Sequence, residues 1–290
     1  MAADVHISLA AEPIAYLGDF PLTNSIFTSL IVSALLIVFA VAVKANFSTT
    51  GKPGRLQNVA EWLVESFYNL TQSITGNTTY TAKFLPLVIT FFLFIVLNNW
   101  LGLLPGVGSI TVPEPHRSEV ISQAHAATNT AEQLIEGDDD LVITDQNDGQ
   151  AAAALEEHSE VRVPLFRPGT ADLNTTIALS LISMILVQVF GIQSLGLSYF
   201  SKFINFKSPV GFFVGMLELI SEFSKVISFA FRLFGNIFAG EVLLVVITSL
   251  ISLVMPMPFY ALEIFVGFIQ ALVFSLLSLV FFNMAVHSHE

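Results

Sequence analysis

Arg232 sits in the apolar run Phe231-Arg232-Leu233-Phe234-Gly235-Asn236-Ile237-Phe238-Ala239-Gly240-Glu241. A guanidinium stays protonated at any physiological pH, and placing one at the centre of a bilayer costs about 3 kcal/mol on insertion scales. Such a charge persists only if it is paired, faces water, or works on an ion, and we read it as working on an ion. Carboxylates stand to either side of it along a helix. Glu241 lies about 13.5 Å further on and about 180° around, and Glu218 lies about 21 Å the other way. Glu218, Lys225 and Arg232 are spaced by seven and share a face, with Ser221 and Ser228 beside them. The small residues Gly235, Ala239 and Gly240 continue that stripe and admit the close approach of another helix. Glu263 and Gln270, again seven apart, share a face of the last apolar run. An antiparallel hairpin turning near residues 251–252 puts Glu241 opposite Glu263 and Arg232 near Gln270. Two carboxylates in one wet cavity can take up and release protons near neutral pH.

The blander readings belong beside these. Glu218, Glu222 and Lys225 also read as ion pairs that lower the cost of insertion, Glu222 and Lys225 being i,i+3. Asn236 and Gln270 also read as ordinary hydrogen-bonders between helices. Glu241 and Glu263 are poor structural glue, because two buried acids without a nearby base repel. No His joins these carboxylates, so no metal site is expected, and no Gly-rich phosphate loop is present. His287 and His289 carry no inference.

The elements that hold these residues follow from composition. Of 290 residues, 54% are hydrophobic and only 12% charged, where soluble chains carry about 25% charge. Several apolar runs exceed the roughly 18 residues that mark a membrane-spanning helix. The expectation is an all-α membrane protein with five transmembrane helices and one amphipathic helix. Span one is Ile26 to Val43. The amphipathic helix runs from Leu56 to Ile74, with Leu56, Val59, Leu63, Phe67 and Leu70 set against Gln57, Glu61, Glu65 and Gln72. Span two runs from about Phe84 to Leu104 and span three from Leu173 to Leu197. Val210 to Val254 is apolar without a turn signal and reads as one steeply tilted helix of about 65 Å. Pro256 and Pro258 make a turn, and Phe259 to Val286 completes a long tilted antiparallel hairpin.

Cysteine is absent, which excludes disulfides and thiolate metal sites. The first 43 residues hold no Lys or Arg, so no cleavable signal peptide is expected. Lys44, Lys52, Arg55, Lys83, Lys202 and Lys207 cluster on one side of the spans. The positive-inside rule then puts the N-terminus outside and the C-terminus inside. The net charge of −12 is concentrated in residues 112–167, which carry Asp138-Asp139-Asp140 and nine further acids. This stretch reads as a solvated, flexible outer-side insertion within a single domain spanning 1–290. A cation-attracting funnel or a contact with a partner subunit is the functional alternative. Arg117, Arg162 and Arg167 fall inside it as basic residues that a long translocated loop tolerates.

At Arg232-Leu233-Phe234-Gly235-Asn236, Ala239-Gly240-Glu241 and Gln270 the sequence resembles subunit a of the F-type ATP synthase (the subunit 6 family). Asn98-Asn99-Trp100-Leu101-Gly102-Leu103-Leu104-Pro105 and Ala171-Asp172-Leu173-Asn174-Thr175-Thr176 resemble the same family's second-span end and third-span start. Members carry His or Glu at the position of Glu263, and the long insertion departs from the family's short connection. The resemblance implies a non-catalytic proton-channel stator beside a rotating c-ring, with offset half-channels that couple the proton gradient to ATP synthesis. Arg232 would face the ring carboxylate. Glu241, Glu263, Asn236, Gln270 and Asp172 would line the outer half-channel, and Glu218 and Ser221 the inner one. Asp172 reads equally well as a helix N-cap. The implied partners are the c-ring proteolipids, the peripheral-stalk b subunits, the rest of the complex, the lipid bilayer and protons. No cofactor and no nucleic acid is implied, and nucleotide chemistry belongs to other subunits. The implied location is a bacterial inner membrane, with an organellar membrane as the alternative. A self-contained proton- or sodium-coupled transporter is the competing function, but that class commonly shows internal repeats and broken helices, and neither is evident.

Overall fold

Thr23 ends a short β ribbon and starts the first long helix, its hydroxyl accepting from the Ile26 amide at 3.3 Å. The ribbon pairs β1 (Pro13–Leu17) with β2 (Phe20–Thr23), and the helix is α1 (Asn24–Ala45). The computed structural model describes residues 11–17, 20–48, 54–104, 110–113, 162–196, 199–200, 203, 209–250 and 256–287. The expected hairpin turn near 251–252, the basic residues Lys52, Arg117, Lys202 and Lys207, His289, and the body of the acidic insertion lie outside them. Among the described residues there follow α2 (Arg55–Thr75), α3 (Thr78–Gly102), α4 (Leu173–Leu195), α5 (Pro209–Leu250) and α6 (Met257–His287). All but α2 are long and apolar enough to cross a membrane. Five spans and one amphipathic helix are thus present, and the two small ribbons are an addition that hydropathy did not show.

The local chemistry explains the boundaries. Asn77 caps α3 by accepting from the Thr79 amide at 2.9 Å, so the helix begins six residues before the expected Phe84. Gly76 takes the left-handed conformation, with φ 63°, that closes α2 on the Gln72 carbonyl; this costs glycine nothing. At about 1.5 Å per residue the 42 residues of α5 extend about 63 Å. An upright helix of that length cannot fit a hydrocarbon core of about 30 Å.

The amphipathic helix is docked differently from expectation. Leu56 and Val59 are exposed, whereas Gln57 turns inward with 4% exposure. Its amide takes the Ser48 backbone at both ends, Ser48 N to Oε1 and Nε2 to Ser48 O, each at 3.1 Å, and also donates to Glu61. Two backbone partners make up for burying the amide. Phe67 remains on the packed face against Phe92, and α2 lies on α3 and α6.

The core is built where α3, α4 and α6 meet, with α5 laid against α4 and α6. Interlocked rings fill it: Phe84 contacts Phe190 and Phe282, and Phe274 bridges Phe91 to Phe229. Ser183 donates to Ser278 at 2.8 Å within it, so the two buried hydroxyls satisfy each other between α4 and α6.

The second ribbon pairs β3 (Thr111–Pro113) with β4 (Arg162–Pro164), in antiparallel register Thr111↔Pro164, Val112↔Val163, Pro113↔Arg162. Both ends of the acidic insertion therefore leave the fold at one place, and chain can be added there without displacing the helices. Residues 162–167, assigned to the flexible loop from the sequence, are instead ordered chain leading into α4. This lead-in is clasped by α1 and α3. Asn24 Nδ2 donates to the Pro164 carbonyl at 3.2 Å, and the Arg167 amide donates to Thr28 Oγ1 at 3.3 Å. Pro168 packs on Gly102, and Gly169 lies against Ser29 and Asn98 so closely that a side chain there would collide with both. Thr170 Oγ1 donates to Asn99 Oδ1.

Candidate functional site

Each polar residue on α5 takes its setting from its helical phase. Ser221, Ser224, Ser228, Arg232, Gly235 and Ala239 recur at three- and four-residue steps and are all exposed, so they form one stripe on the open face of the helix. Phe229, Ala230, Leu233, Ile237 and Leu244 form the opposite, buried face. Arg232 is thus held outward by the apolar residues around it. Its guanidinium lies 5.9 Å from the centre of the Phe229 ring, and among the described residues it makes no ion pair. A side chain on Gly235 would meet open space, so the surface beside Arg232 is recessed. Gly240 does not continue this stripe as the sequence suggested. It faces α6.

The hairpin register brings Glu263 beside residue 240, next to Glu241 as expected. Glu263 is 7% exposed, and its Oε1 has no hydrogen-bond partner among the described residues. Gln270 Oε1 accepts from Asn236 Nδ2 at 2.7 Å, one turn along α5 from Arg232. Gln270 Nε2 is buried without a hydrogen-bond partner among the described residues.

Glu241 departs most from expectation. Its two carboxylate oxygens lie 3.3 Å from Arg167 Nε, so the base thought to be missing is present. Arg167 is 4% exposed and Glu241 31%. The sequence reading placed Arg167 among the charges tolerated by a translocated loop. Its signal was position: an arginine six residues before a span, on the side with few other cations, is poorly explained by the positive-inside rule. Asp172 caps α4, accepting from the Asn174 amide at 3.1 Å, and is buried. Of its two readings the cap is what the geometry displays.

A model of the family described as ATP synthase A chain matches residues 26–283. The chain belongs to that family. It is accordingly a multi-pass membrane protein of the ATP synthase complex, serving ion transport and ATP synthesis. The matched range takes in the clasp, the exposed stripe and the helices α5 and α6.

Asn98 and Asn99, prominent in the sequence resemblance, are framework residues in this A chain. Asn98 accepts from Ser29 Oγ at 3.2 Å, and Asn99 donates to the Gly267 carbonyl at 3.2 Å. Trp100 Nε1 donates to the Ile264 carbonyl at 3.1 Å. They tie α3 to α1 and to the stretch of α6 that follows Glu263.

At the far end of α5, Glu218 lines a cavity of about 70 Å3 with Tyr199, Glu222 and Lys225. Ser221 lies on the exposed stripe and does not line it. Lys225 Nζ pairs with Glu222 Oε1 at 2.8 Å, the i,i+3 pair anticipated from spacing, and lies 5.1 Å from the Phe281 ring centre. Gln188 donates to Glu222 and accepts from the Tyr199 hydroxyl at 2.8 Å. Burial, then the Glu222 and Glu218 carboxylates, push the Tyr199 phenol up to about 12. Tyr199 and Gln188 were not singled out from the sequence, because neither type signals burial beside acids. Among the described residues no group of His, Asp or Glu forms a metal site.

Proposed function

We propose that this A chain conducts protons through two half-channels that are offset along α5 and meet only through a rotating ring of c subunits. The observation that carries this reading is Arg232, exposed at the middle of a membrane-spanning helix and without an ion pair among the described residues. A guanidinium facing lipid costs several kcal/mol, and a ring carboxylate arriving opposite it removes that cost. Arg232 then displaces the proton from each arriving carboxylate and bars direct passage between the half-channels. The recessed surface at Gly235 and Ala239 lets the ring approach closely.

Glu241, Glu263, Asn236 and Gln270 form the outer half-channel, with Asp172 at its mouth. The orphaned Glu263 Oε1 and Gln270 Nε2 support this, because buried polar atoms are ordinarily satisfied, by water where no protein group serves. Glu218 and Ser221 border the inner half-channel. The N-terminus faces outward and the C-terminus the cytoplasm of a bacterial cell, with peripheral-stalk b subunits holding the chain against the turning ring. The subunit performs no covalent chemistry. Each charge crossing 100 mV contributes about 2.3 kcal/mol to rotation.

The test is ATP-driven proton pumping in inverted vesicles carrying the whole complex, comparing native with Arg232→Ala. Pumping is lost while passive proton leak is retained or increased. Undiminished pumping by assembled complex would return Arg232 to a structural role, and a chain that transports without its ring would be the self-contained transporter.

A further inference from the structure

We infer that Arg167 is a positioning residue of the outer half-channel: a cation clasped by α1 and α3 that orients the Glu241 carboxylate and sets the pH range in which it exchanges protons. The inference rests on the reading of Glu241 as an outer half-channel carboxylate. The geometry is specific. Arg167 Nε lies 3.3 Å from each oxygen of Glu241, which fixes the plane of the carboxylate as well as its position. The side chain is 4% exposed, so its charge acts with little screening.

The backbone around Arg167 is anchored on α1 and α3 rather than on the helix that carries Glu241. Its own amide donates to Thr28 of α1. Next along the chain, Pro168 packs on Gly102, Gly169 is wedged against Ser29 and Asn98, and Thr170 binds Asn99. The cation is therefore held in the frame of α1 and α3, while Glu241 is carried by α5. The β3–β4 ribbon lies between the α4 lead-in and the body of the acidic insertion in the chain.

The charged groups around Glu241 come from three further elements. Arg167 approaches from the α4 lead-in, and Glu263 of α6 lies over the adjacent Gly240. Glu12, just before β1, is near enough to act on Glu241 through space. Arg167 is the only cation in this set and never deprotonates in the physiological range. A fixed cation in contact favours the charged form of a carboxylate, so the Arg167 contact bears directly on how Glu241 takes up and releases a proton.

The test measures ATP-driven pumping by the whole complex in inverted vesicles whose internal buffer sets the pH facing the outer half-channel. Native is compared with Arg167→Gln, Arg167→Lys, Glu241→Gln and the double variant Arg167→Gln/Glu241→Gln. Removing the cation moves the midpoint of the pH profile to alkaline pH, and Arg167→Lys keeps it close to native. A glutamine profile that superimposes on native, or a lysine profile shifted as far as the glutamine one, overturns the inference. If Arg167→Gln does not assemble, assembly regained in the double variant supports the pairing, and continued failure reduces Arg167 to a structural residue. If Glu241→Gln itself pumps with a native profile, the outer half-channel reading of Glu241 fails and the inference falls with it. If Glu241→Gln alters the profile and Arg167→Gln does not, the inference alone fails.

Discussion

The carboxylate of Glu263 occupies the space that a side chain on Gly240 would need. An ideal Cβ built at residue 240 lands on the Glu263 carboxyl carbon and both of its oxygens. The absence of a side chain on α5 is therefore what lets an acid from α6 reach the flank of Glu241. Close approach is the role of this glycine, since it sits within α5.

Gly240→Ala separates site geometry from stability. The colliding atoms are the far end of a flexible side chain, so Glu263 swings aside and the complex assembles at native levels. Pumping at equal complex content falls several-fold, and up to about 100-fold if the displacement reaches about 1 Å. Adding Glu263→Asp shortens the acid and recovers part of the loss. Native pumping in Gly240→Ala would show that the position of the Glu263 carboxylate does not matter to transport.

Asn99 is a framework residue with two partners, Thr170 in the clasp and the Gly267 carbonyl in α6. Asn99→Leu keeps the volume and removes both bonds, leaving a buried hydroxyl and a buried carbonyl short of a partner. The expected loss is about 2 to 4 kcal/mol, read as a lower midpoint for thermal dissociation of the subunit from the complex. Because the clasp carries Arg167, pumping should also decline below that midpoint. An unchanged midpoint would mean that the other anchors of the lead-in suffice.

Tyr199 supplies a prediction at alkaline pH. Its phenol is raised from an ordinary 10.0 to about 12 by burial and by the Glu222 and Glu218 carboxylates. Between those values the unfolded chain has released the proton and the folded chain has not. Stability therefore falls as pH rises through that window and is unaffected below it. Tyr199→Phe removes this slope, worth about 3 kcal/mol at most, together with a late step in the tyrosinate absorbance titration. A native titration that lacks the late step would place the phenol in water.

Several of these relationships were legible beforehand because they obey a period. Arg232 and the serines of its stripe follow from 3.6 residues per turn, as do the paired spacings Glu218/Lys225 and Glu263/Gln270. The Glu222–Lys225 ion pair needs only an i,i+3 step. The proximity of Glu263 to Glu241 needed one further assumption, a hairpin turning near 251–252. The same register did not single out Asn236 as the partner of Gln270, because it is good only to about one turn. Gln57 and Arg167 were misread for a common reason. Each is polar or charged and each is buried, and only the backbone or the carboxylate it meets makes that burial affordable.

The sequence by itself determined the membrane-spanning class, the number of spans, the long α5 and the identity of the charged residues within it. Length, hydropathy and helical phase are properties of consecutive residues, and the bilayer demands that each span satisfy its own backbone. Tertiary structure decided the contacts that no spacing or hairpin register could supply. Arg167 and Glu241 are 74 residues apart in sequence, and their contact exists because α1 and α3 grip the lead-in to α4. Glu263 reaches Gly240 because two helices cross at a point without a side chain. Contacts of that kind depend on packing between elements, which no local pattern encodes.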